Sequence, residues 1–171
     1  MKYSKAVALS SISTAFATLL LVLGSYIEVL DLSCLFLASL ALMMPLAKDY
    51  KLGAFLSYIA TVILTVLLTG LRLQVIIPFA MFFGLHPLAN YFQQKLKINK
   101  ILATAIKCVW FVGTLYVMYF ATKIFASPNP LIEQYIHYVL TIGGVVAFIA
   151  YDMAMNTFER AIKNIVLKLK L

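Results

Sequence analysis

Long apolar stretches, separated by short polar loops, constrain this chain more than any other feature. Six such stretches lie at about 6–27, 31–47, 53–68, 74–93, 101–125 and 131–158. A helix needs about 20 apolar residues to cross the ~30 Å hydrocarbon core of a bilayer. Hydrophobic residues make up 64% of the chain and charged residues 12%, whereas a soluble domain is about half apolar and a quarter charged. The pattern predicts an all-α integral membrane protein.

The layout predicts a single transmembrane domain over residues 1–171, built as a bundle of six transmembrane helices. Asp31 is expected to cap the second helix, which runs to about residue 47. In the fourth stretch, Pro78 and Pro87 interrupt the backbone hydrogen bonds and predict a kink or an unwound turn. In lipid, the freed backbone groups must face protein or a cavity. The last stretch, 159–171, is basic and amphipathic, so we expect it to lie on the membrane surface.

Positive charge is distributed unevenly over the predicted loops. The densest run is Lys95–Lys100, and its loop shares one side with loop 48–51 and both termini. Twelve of the fourteen Lys and Arg residues fall on that side, and only Arg72 and Lys123 fall on the other. Because cytoplasmic loops keep an excess of Lys and Arg, we expect a plasma-membrane protein with both termini in the cytoplasm. Orientation and attraction to membrane lipids account for the net charge of +8, so we expect no nucleic-acid partner.

Polar residues gather in the three loops predicted to be external and in the adjoining helix turns. A few converging polar groups beside an apolar, aromatic wall are typical of a small-molecule site. The candidate ligand-binding residues are Glu28, Asp31, Arg72, Gln74, Tyr116, Tyr119, Lys123, Asn129, Glu133, Gln134 and His137. The alternative is that they are interfacial anchors and solvated loop residues.

No motif for a metal, a phosphate-binding loop, a dinucleotide or a nucleophile is found, so we expect neither catalysis nor a cofactor. His86 and His137 are expected in opposite halves of the bundle, each hydrogen-bonded between helices. Asp152 lies in an apolar stretch, where a carboxylate is costly unless it is paired or faces water. One interpretation is that Asp152 belongs to a proton or ion relay. The other is that it lies near the cytoplasmic end of its helix, where it is hydrogen-bonded to Asn156 or Tyr151 or paired with a nearby cation. We favour the second interpretation.

The first apolar stretch carries small residues at four-residue spacing, in the pairs Ala6 and Ser10, and Ser11 and Ala15. Such spacing lets another helix approach closely. Together with six short spans, an Asp after the first external turn and a basic loop between the fourth and fifth spans, it resembles the substrate-binding S component of energy-coupling factor vitamin transporters. In that family an alanine pair on the first helix docks a transmembrane coupling subunit. The resemblance implies such a partner here, acting with cytoplasmic ATPases.

The resemblance also implies a function, which is capture of a vitamin or similar small nutrient from outside the cell. Two alternatives stay open. The first is a structural scaffold similar to the cell-shape protein MreD, whose size and six-span layout are comparable to those of this chain. A lipid-handling membrane protein is the other, because apolar walls and cytoplasmic cations would tolerate a phospholipid or a polyprenyl phosphate.

Overall fold

The described part of the chain is helical almost throughout. A computed structural model describes residues 2–122 and 130–168, without the side chains of residues 2, 3, 28 and 130–133. Its helices are α1 (Lys2–Tyr26), α2 (Asp31–Ala41), α3 (Met43–Ala47), α4 (Lys51–Thr69), α5 (Leu73–Pro78), α6 (His86–Lys95), α7 (Lys100–Thr122), α8 (Pro130–Tyr138) and α9 (Gly144–Lys168). A 3₁₀ turn at Glu28–Leu30 precedes α2, and π-helical turns at Phe79–Phe83 and Val139–Gly143 lead from α5 towards α6 and from α8 into α9.

Five stretches of helix in the described residues are long and apolar enough to cross a membrane. They are Ser4–Tyr26, Lys51–Thr69, Leu73–Lys95, Lys100–Thr122 and Gln134–Lys168. A shorter apolar stretch, Asp31–Ala47, comprises α2 and α3. The chain therefore has the structure expected of a helical membrane protein.

The second predicted helix is not continuous, because it is interrupted at Leu42 between α2 and α3. The cause is Pro45, which has no N–H to donate to the carbonyl of Ala41 four residues earlier. The Ser13 hydroxyl of α1 donates to that carbonyl instead, at 2.7 Å. The expected cap is also displaced by one position. Leu30 precedes the helix, and the Asp31 carboxylate accepts a hydrogen bond from the backbone N–H of Leu32 within its first turn.

The interruption predicted in the fourth stretch is confirmed. In the π-helical turn, the Gly84 N–H donates to the carbonyl of Phe79 at 2.8 Å, five residues back, which leaves the Ala80 carbonyl without its usual partner. The Tyr58 hydroxyl of α4 donates to it at 2.7 Å. Pro87 likewise has no N–H for the carbonyl of Phe83, and the Ser39 hydroxyl of α2 donates there at 2.6 Å. Both freed carbonyls are thus bonded by neighbouring helices.

The carboxyl-terminal segment continues α9 as far as Lys168 rather than starting a separate helix. Val166 is only 2% exposed, and Ile162 packs against the cluster formed by Leu40, Met43 and Met155. Described residues 159–168 therefore contact α2 and α3. Part of the apolar face of this segment is covered by protein, whereas Ile165 and Leu167 are exposed, so the surface-lying position stays a prediction.

The contacts define two ends of the bundle. At one end, Lys95 of α6 pairs with Asp49 of the loop before α4, and Gln94 donates to Glu159 of α9 at 2.8 Å. We call this the basic end, and it carries loops 48–50 and 96–99. At the opposite end, Arg72 reaches the Ser25 carbonyl of α1. Gly70 closes α4 there with a left-handed φ of 67°, a conformation that glycine adopts without steric cost.

An aromatic core fills the bundle between these ends. Phe82, in the π-helical turn, is fully buried and its ring lies 4.8 Å from that of Phe111 and 5.2 Å from that of Trp110. Tyr151 of α9 completes the group, with its ring 5.6 Å from that of Phe82. The π-helical turn thus brings α7 and α9 together beside His86, the first residue of α6.

Candidate functional site

The candidate residues at the opposite end form two groups. Arg72 donates to the carbonyl of Ser25, and its guanidinium lies over the ring of Tyr26 at 4.3 Å from the ring centre. This contact ties the loop after α4 to the end of α1. Gln74 follows as a half-buried residue of α5, and Asp31 is half-buried at the start of α2.

The second group joins α7 to α8. The Tyr116 ring stacks on the His137 imidazole with 5.9 Å between centres, and Tyr119 meets His137 edge-on at 6.2 Å. The Tyr116 hydroxyl lies 3.0 Å from the Thr141 Oγ1 and 3.3 Å from the His137 carbonyl. Gln134 is exposed one turn before His137. The exposed His137 ring therefore contacts α7 through stacking, and the expected hydrogen bond of its imidazole is not found among the described residues.

Four candidates lie outside what the structure describes. Lys123 and Asn129 fall in residues 123–129, and the side chains of Glu28 and Glu133 are not described. The ligand-binding assignment for the opposite end stays a prediction, carried by Arg72 and by the Tyr116–His137 pair.

The small-residue pairs on α1 face two directions. Ser10 lies against α4, where its carbonyl accepts from the Ser57 hydroxyl at 3.0 Å and its hydroxyl lies close over Gly53. Ala6 is half-buried, whereas Ser11 and Ala15 are exposed. Ser10 is thus used inside the fold, and the pair Ser11 and Ala15 leaves an open surface of small residues.

A buried polar cluster lies towards the basic end and joins α6, α7 and α9. The Lys107 ammonium donates to the Asp152 carboxylate at 2.7 Å and to the Asn90 Oδ1 at 2.7 Å. The same carboxylate oxygen lies 3.2 Å from the His86 Nε2, and the Asn156 amide donates to the other oxygen at 3.2 Å. Asp152 therefore pairs with a cation and with Asn156, which are two of the partners that the favoured interpretation expected.

This cluster lies inside the bundle. Lys107 is 5% exposed, Asn90 3%, Asp152 9% and His86 fully buried. Removing charges from water costs several kcal/mol per ion unless they are paired and hydrogen-bonded. Here the carboxylate has three partners, so the lysine and the aspartate stabilise each other. The Asn90 Nδ2 and the His86 Nδ1 have no hydrogen-bond partner among the described residues.

A cleft of about 440 Å³ opens from this cluster towards the basic end. Its lining includes Asn90, Lys107 and Asp152 at the buried end, and Lys100, Arg160 and Lys163 on the exposed side. The cleft combines hydrogen-bond donors with positive charge. It is suited to holding an anion.

The cluster could have been found partly from spacing. Asn90 and Lys107 stand at similar distances from the middle of the 96–99 loop, so an antiparallel helix pair places them opposite each other. Spacing alone indicates this shared depth for Asn90 and Lys107 only. The rotation of each helix, which the sequence does not fix, decides that all of them point inwards.

Within residues 2–122 and 130–168, no three His, Cys, Asp or Glu side chains lie close enough together to hold a metal ion. The buried cluster contributes only two residues of these types, His86 and Asp152. Comparison of the chain with known protein families, with characterised proteins and with solved structures finds no match.

Proposed function

We propose that this chain is the membrane-embedded substrate-binding subunit of an ATP-driven importer, similar to the S component of energy-coupling factor transporters. It lies in the plasma membrane with six spanning segments, of which Asp31–Ala47 is the short sixth. Both termini and the basic end face the cytoplasm. This orientation follows from charge, because the described residues place nearly all their Lys and Arg at the basic end and Arg72 alone at the other.

The observation that carries the proposal is the organised polar group between α7 and α8. Tyr116 is half-buried, stacks on His137 and is hydrogen-bonded to α8 and the turn after it. Side chains that merely anchor a helix at the interface need no such mutual contacts. This group supplies a hydroxyl and an imidazole, and Arg72 supplies a guanidinium in the other group at the same end. A small nutrient with polar substituents suits these functions.

The exposed surface of α1 supports the proposal of a coupling partner. Ser11 and Ala15 are open to the surroundings, so a helix of a transmembrane coupling subunit approaches closely there. The energy for transport comes from cytoplasmic ATPases bound to that subunit. The chain itself is not an enzyme in this proposal and binds no cofactor.

The test is purification of the full chain from its own host in a mild detergent, followed by mass spectrometry of retained small molecules and co-purifying proteins. We expect a vitamin-sized ligand, a coupling membrane protein and ATPase subunits. Recovery of wall-building proteins with no small molecule would overturn the importer proposal in favour of a scaffold.

Matched variants localise the ligand. The double variant Tyr116→Phe/His137→Leu removes the polar functions between α7 and α8, and we expect ligand retention to fall about ten-fold. The control Tyr135→Phe/Tyr138→Phe alters exposed residues of the same helix and leaves retention unchanged. Equal retention in both variants would place the ligand elsewhere.

A further inference from the structure

The cleft at the basic end has unused hydrogen-bond donors at its buried end. A lysine ammonium carries three N–H groups, and Lys107 uses two of them on Asn90 and Asp152. The Asn90 Nδ2, also a donor, is buried and has no partner among the described residues. Because buried polar groups are normally hydrogen-bonded, a ligand that accepts hydrogen bonds suits this position.

Most of the carboxylate oxygens in the cleft already accept hydrogen bonds from the protein. The Asp152 carboxylate contacts Lys107, His86 and Asn156, so its charge is offset within the protein. Glu159, on the lining, accepts from Gln94 through one oxygen, while its other oxygen is buried without a partner among the described residues. Among the buried side-chain groups of the lining, one acceptor oxygen and two donors are free, so the balance favours a ligand that accepts hydrogen bonds.

Charge points the same way. The lining holds four cations, Lys100, Lys107, Arg160 and Lys163, against the carboxylates of Asp152 and Glu159. Lys100, Arg160 and Lys163 are exposed, so they are free to turn towards an incoming group. An anion with several oxygens and more than one negative charge matches this arrangement, since charge-assisted hydrogen bonds to Arg and Lys are the strong ones.

We propose that the cleft binds a phosphate group as a phosphomonoester, with Lys107 and Asn90 at its buried end and Arg160 and Lys163 at its exposed side. The cleft lies where α6, α7 and α9 approach the basic end of the bundle. The phosphate comes either from the headgroup of an anionic lipid or from a soluble phosphate ester. This site lies at the other end of the bundle from Arg72 and His137, so it stands independently of the importer proposal.

The test uses the full chain in phosphatidylcholine nanodiscs that contain increasing amounts of phosphatidic acid, whose headgroup is a phosphomonoester. Native mass spectrometry counts the lipids retained on release. We expect phosphatidic acid to be retained in preference to phosphatidylcholine. The variant Arg160→Gln/Lys163→Gln should weaken this binding about ten-fold through loss of two charge-assisted contacts.

The control variant is Lys97→Gln/Lys168→Gln, which removes the same charge from exposed residues at the same end but outside the cleft lining. We expect its binding to stay within about two-fold of wild type, because exposed charges act weakly through solvent. An equal loss in both variants would mean diffuse attraction to the membrane and would overturn the proposal, as would equal retention of both lipids.

Inorganic phosphate distinguishes the two sources. Displacement of phosphatidic acid by inorganic phosphate from the wild-type chain, but not from the Arg160→Gln/Lys163→Gln variant, assigns the site to a soluble phosphate ester. Retention of the lipid in the presence of inorganic phosphate assigns it to a headgroup. Loss of this site would leave ligand retention at Tyr116 and His137 unaffected, so the two proposals fail separately.

Discussion

A buried lysine is tolerated at position 107 because its ammonium is bonded to two oxygen atoms from two other helices. The carboxylate of Asp152 is in turn bonded from three side chains, so each charge compensates the other inside an apolar bundle. These hydrogen bonds link α6, α7 and α9. Pairs of this kind cost little when intact but leave an unpaired charge when one partner is removed.

We therefore predict that Lys107→Met or Asp152→Leu alone destabilises the chain by about 3 kcal/mol, and that the double variant recovers most of that loss. Unfolding in SDS, followed by circular dichroism of the full chain, measures the change. Met153→Leu, an exposed neighbour on α9, is the control and should change little. Additive losses in the double variant would mean that the two charges do not stabilise each other.

The sequence predicted part of this cluster. Asn156 follows Asp152 by four residues, so helical periodicity alone brings them to one face. Lys107 and His86 come from other helices, and their convergence depends on helix rotation and on the π-helical turn. Neither of these is encoded in local spacing. For this reason the sequence indicates a cation as one of the alternative partners of Asp152 but does not identify that cation.

At the scale of elements, a proline in one helix is matched by a hydroxyl from another. The Ala41 carbonyl is freed by Pro45 and bonded by Ser13, and the Phe83 carbonyl is freed by Pro87 and bonded by Ser39. In lipid there is no water to replace a lost backbone partner. These hydroxyl groups therefore allow the helices to bend while remaining inside the bundle.

We predict that Ser13→Ala destabilises the wild-type chain by about 1 kcal/mol, because the Ala41 carbonyl then has no donor. In a Pro45→Ala background the same substitution should cost much less, since the introduced alanine supplies a backbone N–H. A double-mutant cycle of unfolding in SDS measures the coupling. Thr14→Ala is the matched control, because the Thr14 hydroxyl bonds only a carbonyl of its own helix. Equal costs of Ser13→Ala in both backgrounds would contradict this explanation.

The helical interruptions were only partly predictable from sequence. Pro78 and Pro87 predicted the bend in the fourth stretch because a proline lacks the donor that a helix needs. The break at Leu42 was not predicted, although Pro45 causes it by the same mechanism. The π-helical turn at Val139–Gly143 contains no proline. It lies where Tyr116 meets Thr141 and the His137 carbonyl, so a contact between helices accompanies it.

At the scale of the whole molecule, the two ends differ in charge and in kind. The basic end carries exposed lysines, the anion-binding cleft and the Lys95–Asp49 pair, which is solvent-exposed and contributes little to stability. The opposite end carries aromatic side chains and one described cation, Arg72. A molecule with this asymmetry has a single favoured orientation in a membrane, and each proposed site then faces one compartment.

We predict that exchanging Lys95, Lys97 and Lys100 together for Gln weakens this orientation. The experiment uses cells that express a chain with both native cysteines replaced and one reporter, Asn99→Cys at the basic end or Leu71→Cys at the opposite end. A membrane-impermeant maleimide added outside should label Leu71→Cys and spare Asn99→Cys. With the triple exchange, a fraction of Asn99→Cys becomes labelled, because fewer cations are held in the cytoplasm.

Arg72→Gln, which removes the cation at the opposite end, should leave the labelling as in the parent chain. Labelling of Asn99→Cys in the parent would reverse the proposed orientation. An unchanged pattern after the triple exchange would mean that the cations of the 48–51 loop and of α9 set the topology without this loop.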